Sequence, residues 1–308
     1  MLVIDRRAGA WEDRAFTDFP EYSGPGDCLA LNNSRVIPSR LLGLKPGLSG
    51  KVEVFLIESI SEDRREWRAL VRPGRKLGCG ERVEFGAGFS ATILSRSENG
   101  ERTLALECAD VDGALEAFGH IPLPPYIRRA DTAADRVRYQ TVFAKPPGSV
   151  AAPTAGLHFT PEILSACQAK GAVVAYATLH VGLGTFQPVR EEQVELNKLH
   201  EERFAIAPED WQRIQSAQRV ICAGTTSVRA IETAATTGSV NGTTGIFIYP
   251  GYQFRRVGAM LTNFHLPKSS LLLLVCAFGG QQLMMDAYSH AVREKYRFFS
   301  YGDCMLIL

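Results

Sequence analysis

The 308-residue sequence lacks most of the signatures that assign a function class at sight. Its seven cysteines (Cys28, Cys79, Cys108, Cys167, Cys222, Cys276 and Cys304) include no Cys-x-x-Cys pair, so no zinc or dithiol redox spacing is present. No His-x-x-x-His or His–Cys cluster offers a metal-ligand set. Gly182-Leu183-Gly184 lacks the third glycine of a dinucleotide fingerprint, and no Gly-x-x-x-x-Gly-Lys-Ser/Thr run exists for a nucleoside triphosphate. Excess charge of one sign is missing too. The 34 Lys+Arg against 33 Asp+Glu exclude a globally basic nucleic-acid binder and confine any polyanion contact to a local patch. The most apolar segment, Leu271–Phe278, is far short of the ~20 residues of a bilayer helix and reads as a buried helix. Asp5, Arg6 and Arg7 arrive before any apolar run, so no secretory leader is expected. An odd, dispersed set of thiols points to a reducing, cytoplasmic setting. There is no internal repeat and no low-complexity tract.

What is present is apolar material for a sizeable core, 45% of residues, in two textures. Between Lys51 and Ala109 short alternating or apolar runs are separated by Gly or polar turns. They are Val52–Leu56, Trp67–Val71, Arg82–Phe85, Ser90–Leu94 and Thr103–Glu107. Strands at this spacing, with no helices between them, predict a small antiparallel barrel or sandwich. After about Val150 strands and helices alternate. Thr160-Pro161-Glu162 opens a helix that Gly171 ends, and the strand Ala172–Leu179 follows. Pro208 opens the next helix, Val220–Ala223 is its strand, and Gly224-Thr225-Thr226-Ser227 leads into a helix over Val228–Ala235. A third strand is expected at Gly245–Tyr249. Such alternation predicts a mostly parallel sheet with helices on its faces. Residues 1–45, with the strand-like Asp27–Asn33, join this body. The expected fold is thus α/β: a larger three-layer α/β domain (1–45 and 128–308) with an inserted small β-barrel domain (46–127).

Open α/β sheets bind ligands at the carboxyl ends of their strands. Here those ends run into His180-Val181-Gly182-Leu183-Gly184-Thr185, into Gly224-Thr225-Thr226-Ser227 with Arg229 one turn on, and into Pro250-Gly251-Tyr252. Glycines admit close approach to a ligand, and threonines with free amides at a helix start offer donors. Any one of these turns also reads as a plain helix cap; three in one sheet point to a site. Ala151–Thr160 places His158 just before a helix N-terminus, where the dipole disfavours the imidazolium. Leu261–Ser270 carries Asn263 and His265. His120 and His290 read as structural, and His200 as part of a solvated charged segment. Arg128, Arg129, Arg136, Arg138 and Lys145, interleaved with Tyr126 and Tyr139, suit phosphate contacts and base stacking, or else form a solvated linker.

Several long runs, taken together, resemble one family: S-adenosylmethionine:tRNA ribosyltransferase-isomerase of queuosine biosynthesis. They are Leu31–Leu41, Gly119–Ile127, Val150–Phe159, Thr178–Val189, Gly224–Arg229, Ile246–Tyr252, Leu261–Lys268 and Lys295–Asp303. The resemblance implies a larger α/β domain with an inserted β-barrel. It implies transfer and isomerisation of the ribosyl part of S-adenosylmethionine onto the 7-aminomethyl-7-deazaguanine of tRNA, giving epoxyqueuosine, adenine and methionine. S-Adenosylmethionine is then a consumed co-substrate, with no other cofactor and no metal. The partner it implies is a tRNA with a modified wobble base; no membrane is expected to be involved, and a cytoplasmic monomer is the expected form. The chemistry needs a base near the sulfonium, a proton for departing adenine and a neutral attacking amine. Catalytic roles are expected for His158 and His180 as an acid/base pair, with His265 and Asp303. Substrate contacts are expected from Thr154, Gly182, Gly184, Thr185, Thr225, Thr226, Tyr249 and Asn263, with Arg229 gripping the methionine carboxylate. The arginine-rich segment is expected on the tRNA backbone. The family usually carries a further N-terminal segment, a second His where Asn197 stands, and an Asp where Gly258 stands. Two other readings are an S-adenosylmethionine-dependent RNA methyltransferase and a catalytically inactive tRNA-binding protein.

Overall fold

The computed structural model describes residues 1–47, 50–98, 100–124, 126–182 and 198–308. The chain divides into two compact units, Met1–Arg35 with Gln140–Pro146 and Ala152–Leu308, and Val36–Tyr139 with Pro147–Ala151. The smaller unit therefore begins before, and ends after, the expected 46–127. The residues that shift the boundary are explicit. Arg40–Leu44 is a barrel strand, and Arg136 ties the helix Ala133–Arg138 to Glu116 at 3.1 Å.

The smaller unit is a closed six-stranded barrel. Around it run Arg40–Leu44, Lys51–Ser59, Glu66–Arg72, Arg102–Glu107, Phe89–Arg96 and Arg82–Gly86; Gly119–His120 is added beside the first. Five of the six coincide with the alternating runs. Along Lys51–Leu56 every second residue is buried: Val52, Val54 and Leu56 point inward with Trp67, Ile93, Leu104 and Leu106. The sixth strand closes the barrel where Leu44 meets Glu84. Gly43 makes this approach possible. A Cβ there would lie 2.5 Å from the Glu84 carbonyl oxygen and 2.7 Å from the Phe85 ring.

In the larger unit the described residues form a nine-stranded sheet. Its order is Asn241–Ile246, Lys198–Ala205, Val173–Leu179, Asp27–Asn32, Arg219–Ala223, Val257–Asn263, Cys304–Ile307, Leu2–Asp5, Ala10–Asp13. The middle four strands are mutually parallel, as is the pair Leu2–Asp5 and Cys304–Ile307. The remaining neighbours are antiparallel, so the expected mostly parallel sheet is mixed. The strand expected at Gly245–Tyr249 is instead Asn241–Ile246, because the run finds a ladder partner only as far as Ile246, opposite Lys198.

Local chemistry accounts for the helices. Thr160 Oγ1 accepts from the Ile163 amide at the start of Pro161–Ala169, and Pro208 opens Pro208–Ser216. The helix Thr225–Thr237 starts directly at the Gly-Thr-Thr turn; Gly224, at φ +94°, supplies the left-handed backbone that turn requires. Ser270–Gly279 carries the apolar run and buries Leu274, Val275 and Phe278. No single helix among the described residues is long and apolar enough to cross a membrane. Phe19, Leu29, Leu31, Phe159, Ile221 and Leu261 form the heart of the larger unit's core.

Candidate active site

The register of the parallel strands places four strand ends, Leu179, Asn32, Ala223 and Asn263, along one edge of the sheet. Cys304 lies opposite Asn263 in an antiparallel pair, so Asp303 reaches the same edge from the amino end of its strand. Residues distant in sequence thus converge as strand-end reasoning requires.

One station on this edge is organised by Asn32, which is fully buried. Its Nδ2 donates to the Leu179 carbonyl at 3.0 Å and to Thr226 Oγ1 at 3.1 Å. Its Oδ1 accepts from the Leu179 and Ser34 amides at 3.1 and 3.0 Å. All four hydrogen-bonding positions of the amide are used. They lock the ends of two strands to the first turn of the Thr225–Thr237 helix. Thr178 Oγ1 donates to Asn33 Oδ1 at 2.6 Å, and the His180 amide donates to the Arg203 carbonyl at 3.0 Å. Thr225 and Thr226 are buried here.

Beside them, Glu202 accepts from the Gly182 amide at 2.7 Å through Oε1 and from Arg229 Nη1 through Oε2. Both charged side chains are only 6% exposed. Arg229 Nη2 points at the Thr244 carbonyl, 3.4 Å away. The expected carboxylate clamp is therefore corrected: the fold has already given the Arg229 fork to Glu202 and Thr244. Gly184 and Thr185 lie outside the described residues.

The second station is a pocket of about 430 Å³ lined by Phe16, Leu157, His158, Arg297, Tyr301 and Asp303 among others. Short 3-10 turn Thr154–His158 delivers His158, with half-buried Thr154 at its start. The imidazole packs on Phe16 at 5.2 Å between centroids, and Phe16 in turn meets Phe159 edge-on at 5.3 Å. Burial lowers the His158 pKa to about 4, with nearby Asp303 and Asn263 partly opposing it. The ring is neutral at pH 7, as expected, but burial rather than a helix dipole is the main cause. Its Nε2 is buried without a hydrogen-bond partner, and so is Asn263 Oδ1 beside it. Asn263 Nδ2 donates to the Phe299 carbonyl at 3.0 Å.

At the pocket mouth Asp303 accepts from the Arg297 amide at 2.7 Å and from its guanidinium at 2.9 Å. Burial pushes this carboxyl up, but the bonds from Arg297 outweigh it and hold the carboxyl below its ordinary range. The pocket thus presents a neutral imidazole beside a carboxylate.

Other expected residues lie elsewhere. His265 is not among the residues lining the pocket: Nε2 pairs with Thr262 Oγ1 at 2.7 Å, its amide donates to Tyr288 Oη at 3.0 Å, and burial lowers its pKa to about 4. It pins the 262–265 turn. His158 ends the 3-10 turn Thr154–His158, His180 follows the strand Val173–Leu179, and His180 is not among the residues lining the pocket of His158. Tyr249 lies past the end of its strand, 41% exposed, against Phe247. In the smaller unit, Arg129 is forked onto Asp135 at 2.6 and 2.7 Å and Arg136 is held by Glu116; Arg128 and Arg138 are exposed. Lys145, in the larger unit, is exposed. His120 pairs with Asp131 at 2.8 Å and His290 with Asp13 at 3.1 Å. Asn32, Glu202, Phe16 and Arg297 were not expected as site residues. Glu202 had a signal: it shares the inward face of its strand with Phe204, both buried, where solvated residues would not alternate.

Known proteins identify the family of this chain. A family model described as "Queuosine biosynthesis protein" matches residues 1–307. A protein named S-adenosylmethionine:tRNA ribosyltransferase-isomerase from Solibacter usitatus is 57% identical, covering 100% of this chain and 92% of the relative. One of the same name from a Sulfurihydrogenibium species is 45% identical with the same coverage. A crystal structure described as S-adenosylmethionine tRNA ribosyltransferase from Thermotoga maritima matches with a TM-score of 0.54 and 35% identity, covering 100% of this chain and 91% of that one.

Proposed function

From membership of the queuosine biosynthesis protein family, to which this chain belongs, we infer that it is an S-adenosylmethionine:tRNA ribosyltransferase-isomerase. It transfers and isomerises the ribosyl part of S-adenosylmethionine onto the 7-aminomethyl-7-deazaguanine of tRNA, and adenine and methionine leave. One observation of the site supports this chemistry above the rest: a neutral imidazole with an unpartnered buried nitrogen beside an ionised carboxylate, at the ligand-binding edge of the sheet.

The sulfonium acidifies the adjacent ribose carbon. His158, unprotonated at neutral pH, takes that proton. Asp303 faces the cationic centre and stabilises it. His180, at the Asn32 station, keeps the incoming amine neutral, and Thr154, Thr225 and Thr226 orient the ribosyl hydroxyls. S-Adenosylmethionine is consumed, and this scheme calls on no resident metal or redox group. Exposed Arg128, Arg138 and Lys145 are assigned to the tRNA backbone. We place the reaction in the cytoplasm, where the scattered free thiols are compatible with a reducing medium, and take one chain as the acting species.

The test is direct. The protein is incubated with S-adenosylmethionine and tRNA bearing the aminomethyl-deazaguanine, and small molecules and nucleosides are read by mass spectrometry. Adenine, methionine and epoxyqueuosine are expected in equal amounts. S-Adenosylhomocysteine would mark a methyltransferase instead; tRNA binding with no product would mark an inactive binder.

A further inference from the structure

We propose that Arg297 takes the carboxylate at the methionine end of S-adenosylmethionine, the role that the buried Arg229 cannot fill. This deepens the functional reading above and rests on it for the identity of the ligand.

An α-amino-acid carboxylate is matched by a fork of N–H donors on a cation. Arg297 is the only Lys or Arg among the described residues lining the pocket of His158. Its side chain is 76% exposed, against 6% for that of Arg229. Asp303 engages one edge of the guanidinium, from Nη2 at 2.9 Å and from Nε at 3.4 Å. Among the described residues nothing takes Nη1, so the Nη1–Nη2 end of the fork is open to a carboxylate through two parallel bonds. Asp303 thus orients the cation without using it up.

The loop beneath holds the side chain in place. The Arg297 amide donates to Asp303 Oδ2 at 2.7 Å, and the Arg297 carbonyl accepts from the Asp303 amide at 2.7 Å. Gly302 allows so tight a closure: a Cβ there would lie 2.3 Å from the Arg297 carbonyl oxygen. On either side, Tyr296 and Phe298 pack on buried Phe264, at 5.5 and 5.0 Å between centroids. An arginine on so constrained a loop has less freedom to lose on binding. The Arg297–Asp303 couple also complements the charges of the methionine end, guanidinium to carboxylate and carboxylate to ammonium and sulfonium. A volume of about 430 Å³ is that of a small-molecule site, which favours this anion over a phosphate of the tRNA backbone.

The test reads binding by calorimetry with the full chain and no tRNA, so turnover is not needed. The ligands are S-adenosylmethionine and its decarboxylated analogue, which keeps the sulfonium, the ammonium and the nucleoside. The wild type should bind the analogue roughly ten- to a hundredfold more weakly, the worth of hydrogen bonds between charged groups. Arg297→Met should weaken S-adenosylmethionine by a similar factor and leave the analogue little changed, erasing the preference. Equal loss of both ligands would reduce Arg297 to a support for Asp303 and overturn the proposal, as would a wild type that binds the two alike. Binding of tRNA is the second arm. Its salt dependence should be the same in Arg297→Met; a flatter slope with unchanged S-adenosylmethionine affinity would give the guanidinium to a phosphate instead. If the wild type binds no S-adenosylmethionine at all, the functional reading itself falls, and this assignment with it.

Discussion

Substituting Arg229 by methionine removes a cation that the fold has buried and paired. Arg229 and Glu202 are each 6% exposed in their side chains, and the guanidinium also approaches the Thr244 carbonyl. Taking away one member of such a pair strands the other charge in a low-dielectric interior, a loss of about 3–5 kcal/mol. Glu202 would lose its guanidinium partner on Oε2 while Oε1 still accepts from the Gly182 amide, and a neutral donor does not replace a paired cation. Arg229→Met alone is therefore expected to lose roughly 3–5 kcal/mol by urea unfolding. Adding Glu202→Gln should recover most of this, since no charge is left unpaired and the Gly182 amide keeps an acceptor. The coupling energy from the four-variant cycle reads the interaction directly. The carboxylate-clamp role expected from sequence makes the opposite forecast: near-native stability in Arg229→Met, with a large rise in KM for S-adenosylmethionine and no rescue by Glu202→Gln. That outcome would refute the strut assignment.

Three further predictions follow from the two units. His158 and His265 both have pKa values near 4 in the fold, below the ordinary ~6.5, so the unfolded chain binds more protons between these values. Their contribution is full above pH ~6.5 and lost as pH falls toward 4, at most about 3 kcal/mol each; His158→Gln should show a shallower loss in denaturant titrations across that window, and an unchanged slope would contradict the burial argument. Gly43→Val should destabilise the barrel by ~1–3 kcal/mol or more, because its side chain meets the Glu84 backbone at the closing pair; wild-type stability would show that the barrel relaxes at this seam. Arg128→Gln with Arg138→Gln should flatten the salt dependence of tRNA binding by about one unit per lost phosphate contact, whereas Arg129→Gln should mainly release Asp135; equal slopes in all variants would remove the exposed pair from the interface.

Much of this architecture is legible in particular residues. Val52, Val54 and Leu56 declare a barrel strand by alternation alone, and Thr160-Pro161 declares a helix start that the structure places at the same residue. Arg40–Leu44 is not legible in this way. Its Leu-Leu-Gly-Leu has no clean period, and its glycine serves a closure partner, residues 82–86, that local sequence cannot reveal. The turns at His180 and Gly224 were legible as strand ends, and the parallel register brings them to one edge together with Asn263. Asp303 was not, because it precedes its strand. It reaches the edge only because Cys304–Ile307 runs against Val257–Asn263. Arg229 illustrates the converse. Its position after a Gly-Thr-Thr turn is a good place for a ligand contact, yet Glu202, distant in sequence, had claimed it.

The electrostatics of the pocket also bear on a difficulty in the chemistry. A single reaction must strip a proton from carbon and deliver one to departing adenine. At neutral pH the pocket's His158 is unprotonated and its Asp303 ionised, so both groups receive protons and neither is ready to give one. A second acid within reach is not required, however. An imidazole whose pKa is depressed to about 4 is a weak base but, once protonated, a strong acid. Asp303 and Asn263 oppose that depression without abolishing it. In the proposed reaction His158 would accept the carbon-bound proton while the sulfonium makes that proton unusually acidic, and would pass it on as the leaving purine develops charge. An exposed histidine at ~6.5 would take the proton more easily and give it back less readily.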